Sequence, residues 1–176
     1  MKSLAEHLTH YATFHRDKRN IATHFLGIPM IVVGTQSLLA KFGIGPVNAA
    51  VPATAAASFY YRKLDPEFGK VMTVVLGATA AIATTIAQLP IPLWAGATGA
   101  LFFGGWAIQF LGHKFEGKKP AFMEDLASLL IGPLFIVAEV AFAFGFAKDL
   151  KEQIERVAGP THWGNKASTE LATAAA

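Results

Sequence analysis

The sequence contains no cysteine and few charged residues, and both shortages narrow what the protein can be. Because none of the 176 residues is cysteine, disulfide bonds and thiolate metal ligands are excluded, and a metal site must use histidine, carboxylate, tyrosine or water. Charged residues make up 15% of the chain and hydrophobic residues 53%, whereas about a quarter of an ordinary soluble domain is charged. With a mean hydropathy of +0.41, the composition predicts an integral membrane protein.

The basic residues do not indicate a nucleic-acid partner, although the isoelectric point is about 9.2. They flank long apolar runs, where lysine and arginine mark the cytoplasmic ends of membrane spans. Membrane lipid is therefore the expected surrounding. Residues 1–20 are polar and show no cleavable signal peptide.

The apolar runs predict an all-α bundle of membrane-spanning helices. A hydrocarbon core of about 30 Å needs about twenty apolar residues in a helix. Four predicted spans cover residues 21–40, 47–61, 71–89 and 93–111. Between them, glycine, proline and polar residues predict turns at 41–46 and 90–92 and polar loops at 62–70 and 112–125. An amphipathic helix over residues 3–16 precedes the spans, with Ser3 and Glu6 in a capping-box pattern.

A fifth apolar run, residues 126–147, leaves two arrangements open. A simple crossing would place Lys148 and Lys151 outside, against the rule that basic residues stay in the cytoplasm. Alternatively, a break at Gly132-Pro133 would return the run as a hairpin of two half-helices, because proline interrupts a helix interior. The same rule places the N-terminus in the cytoplasm.

Domain organisation follows from the same pattern. Residues 1–158 are expected to form a single membrane-embedded helical domain. Residues 159–176 are small, polar and rich in alanine, which predicts a disordered tail because such a segment has little apolar surface to bury.

Three histidines fall at the cytoplasmic ends of the predicted spans. His15 precedes the first span, His24 lies about one turn into it, and His113 follows the fourth. An ionisable residue at membrane depth is costly and faces the protein interior, and imidazoles with a carboxylate suit non-haem iron. A single histidine at such a place is more often a hydrogen-bonding group at a helix end. Three at one depth make a shared metal ion an equally good interpretation.

Other polar residues accompany these histidines. Tyr11 and His15 are four residues apart, and His113 and Glu116 are three apart, so each pair shares a helix face. Glu139 is the only charged residue in the last apolar run. A hydrogen bond to a neighbouring helix would explain it, and so would a hairpin that returns it toward the histidines.

These residues also resemble a known family. Two blocks carry the resemblance: Tyr11, His15, Asn20, His24 and Pro29 near the start, then Gln109-Phe110-x-Gly112-His113-x-Phe115-Glu116 with Pro120-Ala121, Pro133 and Glu139. Together they resemble the fungal 2-hydroxy fatty acid dioxygenase family, small endoplasmic-reticulum membrane proteins with many bacterial relatives. The resemblance extends from about Tyr11 to Lys148.

The resemblance implies an iron(II)-dependent α-oxidation, in which a 2-hydroxy fatty acid reacts with O2, loses its carboxyl carbon as CO2 and becomes one carbon shorter. It implies Fe(II) on His15, His24 and His113, with Glu116 or Glu139 as open candidates for a carboxylate ligand. Tyr11 and Glu116 join the histidines as expected catalytic residues. Asn20, Gln109 and Lys119 are the expected substrate-binding residues, and the expected location is a bacterial inner membrane with a cytoplasmic active site. Fungal members of the family have a further histidine between the third and fourth spans, whereas residues 89–94 contain none.

Two other functions remain open from the residues alone. In a non-catalytic membrane scaffold, the histidines would cap and pack helices at scattered positions. In a proton or solute relay built on Glu139, polar residues would line a path through the whole membrane. The enzyme interpretation instead requires His15, His24 and His113 to meet.

Overall fold

The computed structural model describes residues 2–44 and 47–164, and it confirms the all-α bundle. Within this part of the chain a pair of two-residue strands, β1 (Gly43–Ile44) and β2 (Val47–Asn48), forms an antiparallel hairpin. A 3₁₀ turn covers Ala121–Met123. The helices are α1 (Leu4–Ala12), α2 (Lys18–Ala40), α3 (Ala50–Leu64), α4 (Pro66–Ala87), α5 (Ile91–Glu116), α6 (Ser128–Ala143) and α7 (Lys148–Ala158).

Among the described residues, three helices are long and apolar enough to cross a membrane: α2, α4 and α5. Helices α6 and α7 reach that length only together, and they are bent by 115° at the break between them. The second predicted span corresponds to α3. Its 15 residues extend about 22 Å at 1.5 Å per residue, which is shorter than a hydrocarbon core of about 30 Å.

The predicted polar loop at 62–70 is wrong, because only Asp65 separates α3 from α4. The side chain of Asp65 accepts hydrogen bonds from the backbone N–H groups of Glu67 (2.9 Å) and Phe68 (2.8 Å). Pro66 occupies the first helical position, where its missing N–H costs nothing. A capping aspartate followed by proline therefore starts α4 directly after α3 ends.

The predicted loop at 112–125 begins too early, since α5 continues to Glu116. The helix ends at Gly117, which has a positive φ of 70° and donates its N–H to the carbonyl of His113 at 3.0 Å. Glycine adopts this left-handed conformation without the steric cost of a side chain. His113 and Glu116 therefore lie on the last turn of a helix.

The proposed break at Gly132-Pro133 is also wrong, because α6 runs continuously through Pro133. A proline within a helix removes one backbone donor, and packing can offset that loss. The chain turns instead at residues 144–147, where Gly145 (φ 80°) and Ala147 (φ 50°) are both left-handed. The sharp change of direction therefore comes at the end of the apolar run.

Residues 27–107 form one compact unit. Within it α3 and α4 pack as an antiparallel pair joined at Asp65. The Lys41 side chain at the end of α2 donates to the carbonyl of Ala87 at 2.9 Å, so α2 and α4 end at the same side of this unit. Polar side chains also meet inside it, since Gln36 Nε2 donates to Thr54 Oγ1 at 3.1 Å.

The described residues on either side of that segment, 2–26 and 108–164, form a second compact unit. Here α1 packs against α6 and α7. The predicted capping box is confirmed: Glu6 N–H donates to Ser3 Oγ at 3.2 Å, and Ser3 N–H donates to Glu6 Oε2 at 2.6 Å. The predicted tail begins in this unit at residue 159, and its part from 165 to 176 lies outside the described residues. The core of the unit includes Leu8, Tyr11, Ala12, Ile21, Ile131, Leu134, Phe135, Ala138 and Ile154.

Candidate metal centre

Three segments bring histidines to one point in the second unit. His15 lies in the loop 13–17 between α1 and α2, His24 in the second turn of α2, and His113 in the last turn of α5. All three are buried, and one ring nitrogen from each lies within 4.8 Å of the others. The ring centroids are 4.5 Å (His15–His24), 4.9 Å (His15–His113) and 5.1 Å (His24–His113) apart. The residues that the sequence singled out as possible metal ligands are therefore neighbours.

The hydrogen bonds of His15 and His24 fix which nitrogen carries the proton. Nδ1 of His15 lies 2.7 Å from the carbonyl oxygen of Tyr11, and Nδ1 of His24 lies 2.9 Å from that of Asn20. A carbonyl oxygen can only accept, so both Nδ1 atoms donate. In the neutral rings each Nε2 therefore has a free lone pair. Metal-binding histidines are oriented by the same type of bond to a backbone carbonyl.

The two Nε2 atoms face each other at 3.0 Å. A hydrogen bond between them would require one ring to be an imidazolium. Burial, reinforced by the imidazole of His24, lowers the pKa of His15 well below its ordinary value and so favours the neutral ring. Two nitrogens at right angles around one ion, each about 2.1 Å from it, would be about 3 Å apart. The pair fits two ligands of a single metal ion.

Aromatic rings support the imidazole of His15. The ring of Tyr11 stacks on it with a centroid distance of 4.0 Å and an interplanar angle of 1°. Phe135 of α6 contacts both rings, at 5.0 Å from Tyr11 and 5.6 Å from His15. The third histidine, His113, is also buried. Its Nδ1 has no hydrogen-bond partner among the described residues.

Glu116 contacts the loop that carries His15. Its carboxylate accepts hydrogen bonds from the backbone N–H of Arg16 (3.0 Å), the backbone N–H of Asp17 (2.9 Å) and Nδ2 of Asn20 (3.0 Å). These bonds fix the loop 13–17 to the end of α5. Among the described residues, the side chains close enough to share a metal ion are the three histidines. Glu116 is not one of this group.

Glu139 is likewise outside the histidine group and pairs with a cation. Its Oε1 lies 3.6 Å from Nη2 of Arg16, whose side chain is 6% exposed. The sequence left a hydrogen bond to a neighbouring helix and a returning hairpin open for Glu139. Its partner in the structure is instead Arg16, in the loop 13–17. The structure thus uses both candidate carboxylates to hold the residues next to His15.

The three expected substrate-binding residues occupy different environments. Asn20 is fully buried, and its Nδ2 also donates to the carbonyl of Phe14 at 3.1 Å. Gln109 is buried one turn before His113, and its Oε1 has no hydrogen-bond partner in the described part of the chain. Lys119 is exposed in the segment after α5.

Two residues of this site have roles that the sequence analysis did not assign to them. Arg16 is buried beside His15. From the sequence, an arginine next to an apolar run indicates only the cytoplasmic end of a membrane span. Gly112 lies where α5 meets α2, and a Cβ atom there would overlap Thr23 Oγ1 and Asn20 Oδ1. The signal that could reveal Gly112 is the small residue itself, because small residues let helices approach closely in membranes.

Fold and site together define a helical protein with membrane-length apolar helices and a buried group of three histidines suited to a metal ion. The chain belongs to the Mpo1-like family, described as 2-hydroxy-palmitic acid dioxygenase Mpo1-like, whose model matches residues 1–144. It is similar to the 2-hydroxy-palmitic acid dioxygenase MPO1 of Saccharomyces cerevisiae, with 27% identity over 155 residues, covering 86% of this chain and 87% of that protein. No solved structure matches the chain. The family expected from the sequence is confirmed, and membership supports an enzymatic role.

Proposed function

We propose that the protein is an Fe(II)-dependent dioxygenase that converts a 2-hydroxy fatty acid to a fatty acid one carbon shorter. The observation that carries this proposal is the facing pair of Nε2 lone pairs on His15 and His24, with His113 beside them. The family and the dioxygenase named among its relatives support the same reaction class.

The donor set fits non-haem iron. Three neutral imidazoles with no thiolate are nitrogen ligands that iron accepts, and three protein ligands leave coordination positions for substrate and O2. We assign His15, His24 and His113 as the residues that hold the ion. Fe(II), when bound, supplies oxygen activation and a Lewis-acid template for the substrate's hydroxyl and carboxylate groups.

The proposed reaction balances without a reducing cosubstrate. A 2-hydroxy acid, R–CH(OH)–COOH, and O2 give R–COOH, CO2 and H2O. The bond between the carboxyl carbon and the hydroxyl-bearing carbon breaks. Oxidation of the hydroxyl-bearing carbon to a carboxylic acid and release of the old carboxyl group as CO2 supply the four electrons that reduce O2. The substrate is therefore both the carbon source and the reductant.

The protein side chains hold this centre in place. Tyr11 covers one face of His15, and its carbonyl orients the ring. Glu116 fixes the loop 13–17 through the N–H groups that follow His15. Tyr11 and Glu116 therefore act on a ligand of the metal, as positioning residues.

For substrate binding we assign Gln109, Asn20 and Lys119. The free Oε1 of Gln109 can accept a hydrogen bond from the substrate's hydroxyl group. Asn20 shapes the site through the carbonyl that orients His24. Lys119, exposed after α5, can attract the fatty carboxylate at the membrane surface. The acyl chain stays in the lipid, and we place the site at the cytoplasmic face of a bacterial inner membrane.

The two alternatives have less support. In a scaffold the three histidines would lie at separate positions. Here one ring nitrogen from each lies within 4.8 Å of the others. A relay built on Glu139 needs a polar path, whereas this carboxylate pairs with Arg16.

Purified protein tests the proposal when it is loaded with Fe(II) and given O2 and 2-hydroxypalmitate. We expect a C15 fatty acid and CO2. His113→Ala should lose both bound iron and product, whereas His162→Ala, outside the cluster, should keep both. Iron-loaded protein that forms no C15 acid would contradict the reaction, and unchanged iron in His113→Ala would remove this residue from the ligand set.

A further inference from the structure

The segment after α7, residues 159–164, returns to the loop that carries His15, and we call it the strap. The N–H of His162 donates to the carbonyl of Arg16 at 2.9 Å, and the N–H of Lys18 donates to the carbonyl of His162 at 2.8 Å. These two bonds form a parallel bridge centred on Asp17 and His162. Main-chain atoms on both sides of Asp17 are thus bonded to the strap.

The side chain of Arg16 makes a third connection. It is buried, its Nε donates to the carbonyl of His15 at 2.8 Å, and its Nη1 donates to the carbonyl of Gly159 at 3.1 Å. Its Nη2 lies 3.6 Å from Glu139 of α6. One guanidinium therefore joins the main chain of the candidate ligand to the start of the strap and to α6.

The loop is held from two sides by different atoms. Glu116 of α5 accepts hydrogen bonds from the N–H groups of Arg16 and Asp17. The strap donates to the carbonyl of Arg16 and accepts from the N–H of Lys18. A backbone group in a buried loop needs a hydrogen-bond partner, because leaving it unpaired away from water is unfavourable. The N–H of His162 is a donor for the Arg16 carbonyl, a role that Glu116, an acceptor only, cannot fill.

We infer that the strap orders the loop 13–17 and thereby positions His15 for metal binding. The inference rests on the proposed function for its metal, but the ordering of the loop does not depend on it. The family model ends at residue 144, so the strap lies beyond the matched part of the chain. Bonding partners that orient metal ligands typically change metal affinity about 10- to 100-fold.

A matched pair of variants isolates the main-chain bond. The hydrogen bonds of His162 to residues 16–18 use only its N–H and carbonyl. Its imidazole Nδ1 donates to the carbonyl of Gly164 at 2.6 Å. His162→Pro removes the N–H donor, and His162→Ala keeps it. With Co²⁺ as the probe, we expect about tenfold weaker binding and an altered absorption spectrum for His162→Pro. His162→Ala should match the unaltered chain.

Truncation removes the whole bridge without introducing proline. A chain ending at Pro160 keeps the Gly159 carbonyl for Arg16 but lacks His162, whereas a chain ending at Gly164 keeps every strap contact given above. Hydrogen exchange of the Arg16 and Asp17 amides reports loop order, because both remain bonded to Glu116 in either chain. We expect these amides to exchange about ten times faster in the shorter chain, the rate change that 1.4 kcal/mol produces. The Phe68 amide, bonded to Asp65, should be unchanged.

The outcomes separate the two claims. Equal exchange of the Arg16 and Asp17 amides in the two truncated chains, or Co²⁺ binding by His162→Pro that matches His162→Ala, would overturn the strap inference. A full chain that binds neither Co²⁺ nor Fe(II) would contradict the proposed function. The exchange measurement needs no metal and still decides the role of the strap.

Discussion

A single carboxylate, Glu116, satisfies three donors that surround the histidine-bearing loop. Two are backbone N–H groups and one is the amide of Asn20. Replacing the carboxylate by an amide lowers the number of accepting oxygens and turns an NH2 group toward these donors. A buried donor left without a partner costs about 1–3 kcal/mol.

Glu116→Gln should therefore lower the free energy of unfolding by about 1–3 kcal/mol and weaken iron binding. Denaturant titration and metal analysis of the purified variant measure these two effects. Glu124→Gln is the control, because Glu124 is an exposed carboxylate in the segment after α5. Wild-type stability in Glu116→Gln would show that these hydrogen bonds do not hold the loop.

The ring of Tyr11 gives a second prediction at this scale. It stacks on His15 at 4.0 Å, and such aromatic contacts contribute about 0.5–1.5 kcal/mol beyond the area they bury. Tyr11→Phe keeps the stack and should bind iron normally, whereas Tyr11→Leu should bind it several-fold more weakly. Iron titration compares the two. Equal affinity of Tyr11→Leu and wild type would mean that the stack does not position His15.

At the scale of helices, Gly112 lies at the close contact between α2 and α5, next to the three histidines. A side chain there would overlap Thr23 and Asn20, which lie beside and one turn before His24. Gly112→Ala should therefore push His113 away from His24 and weaken Co²⁺ or Fe(II) binding at least about tenfold, within the range for disturbed ligand positioning.

Gly96→Ala is the matched control in the same helix, because a Cβ atom at Gly96 meets nothing within 4 Å. Alanine also favours a helix over glycine by about 1 kcal/mol, so this variant should fold and bind metal as the wild type does. Loss of binding in both variants would point to α5 itself and not to the contact at Gly112.

What the sequence predicts well about these elements is local. The capping box at Ser3 and the apolar runs that become α2, α4 and α5 depend on neighbours along the chain. Two errors have different causes. At residues 62–70 polarity predicts a loop, but Asp65-Pro66 starts a helix there. At Pro133 the helix continues through the proline, and the bend comes later, at the left-handed Gly145 and Ala147. Helix boundaries depend on such single residues.

The candidate site, too, can be predicted from the sequence only in part. Histidine is rare and informative at membrane depth, so His15, His24 and His113 can be selected from residue type and topology alone. The partners of Glu116 and Arg16 lie about a hundred residues or more away, and pattern analysis of one chain does not pair such distant positions. Both residues therefore show their roles only in the folded structure.

At the scale of the whole molecule, the basic residues predict one orientation in the membrane. Lys41 at the end of α2 reaches Ala87 at the end of α4, while Arg62 and Lys63 lie in the last turn of α3. Because basic residues remain in the cytoplasm, the β1–β2 hairpin should lie outside and the segment after α5 inside.

The absence of cysteine makes this orientation simple to measure. Ile44→Cys, at a position 88% exposed in β1, should react with a membrane-impermeant maleimide in intact spheroplasts. Glu124→Cys should react only after the membrane is permeabilised. Labelling of Glu124→Cys in intact spheroplasts would reverse the proposed orientation and move the histidines to the other face.

The one-residue joint at Asp65 has a consequence for how the chain enters a bilayer. Helix α3 is too short to cross by itself, and no flexible tether separates it from α4. The backbones of α3 and α4 are hydrogen-bonded within each helix, so the two helices can enter lipid together as one helical hairpin. We therefore expect α3 to enter the membrane together with α4, and extra residues inserted beside Asp65 should separate the two insertion events.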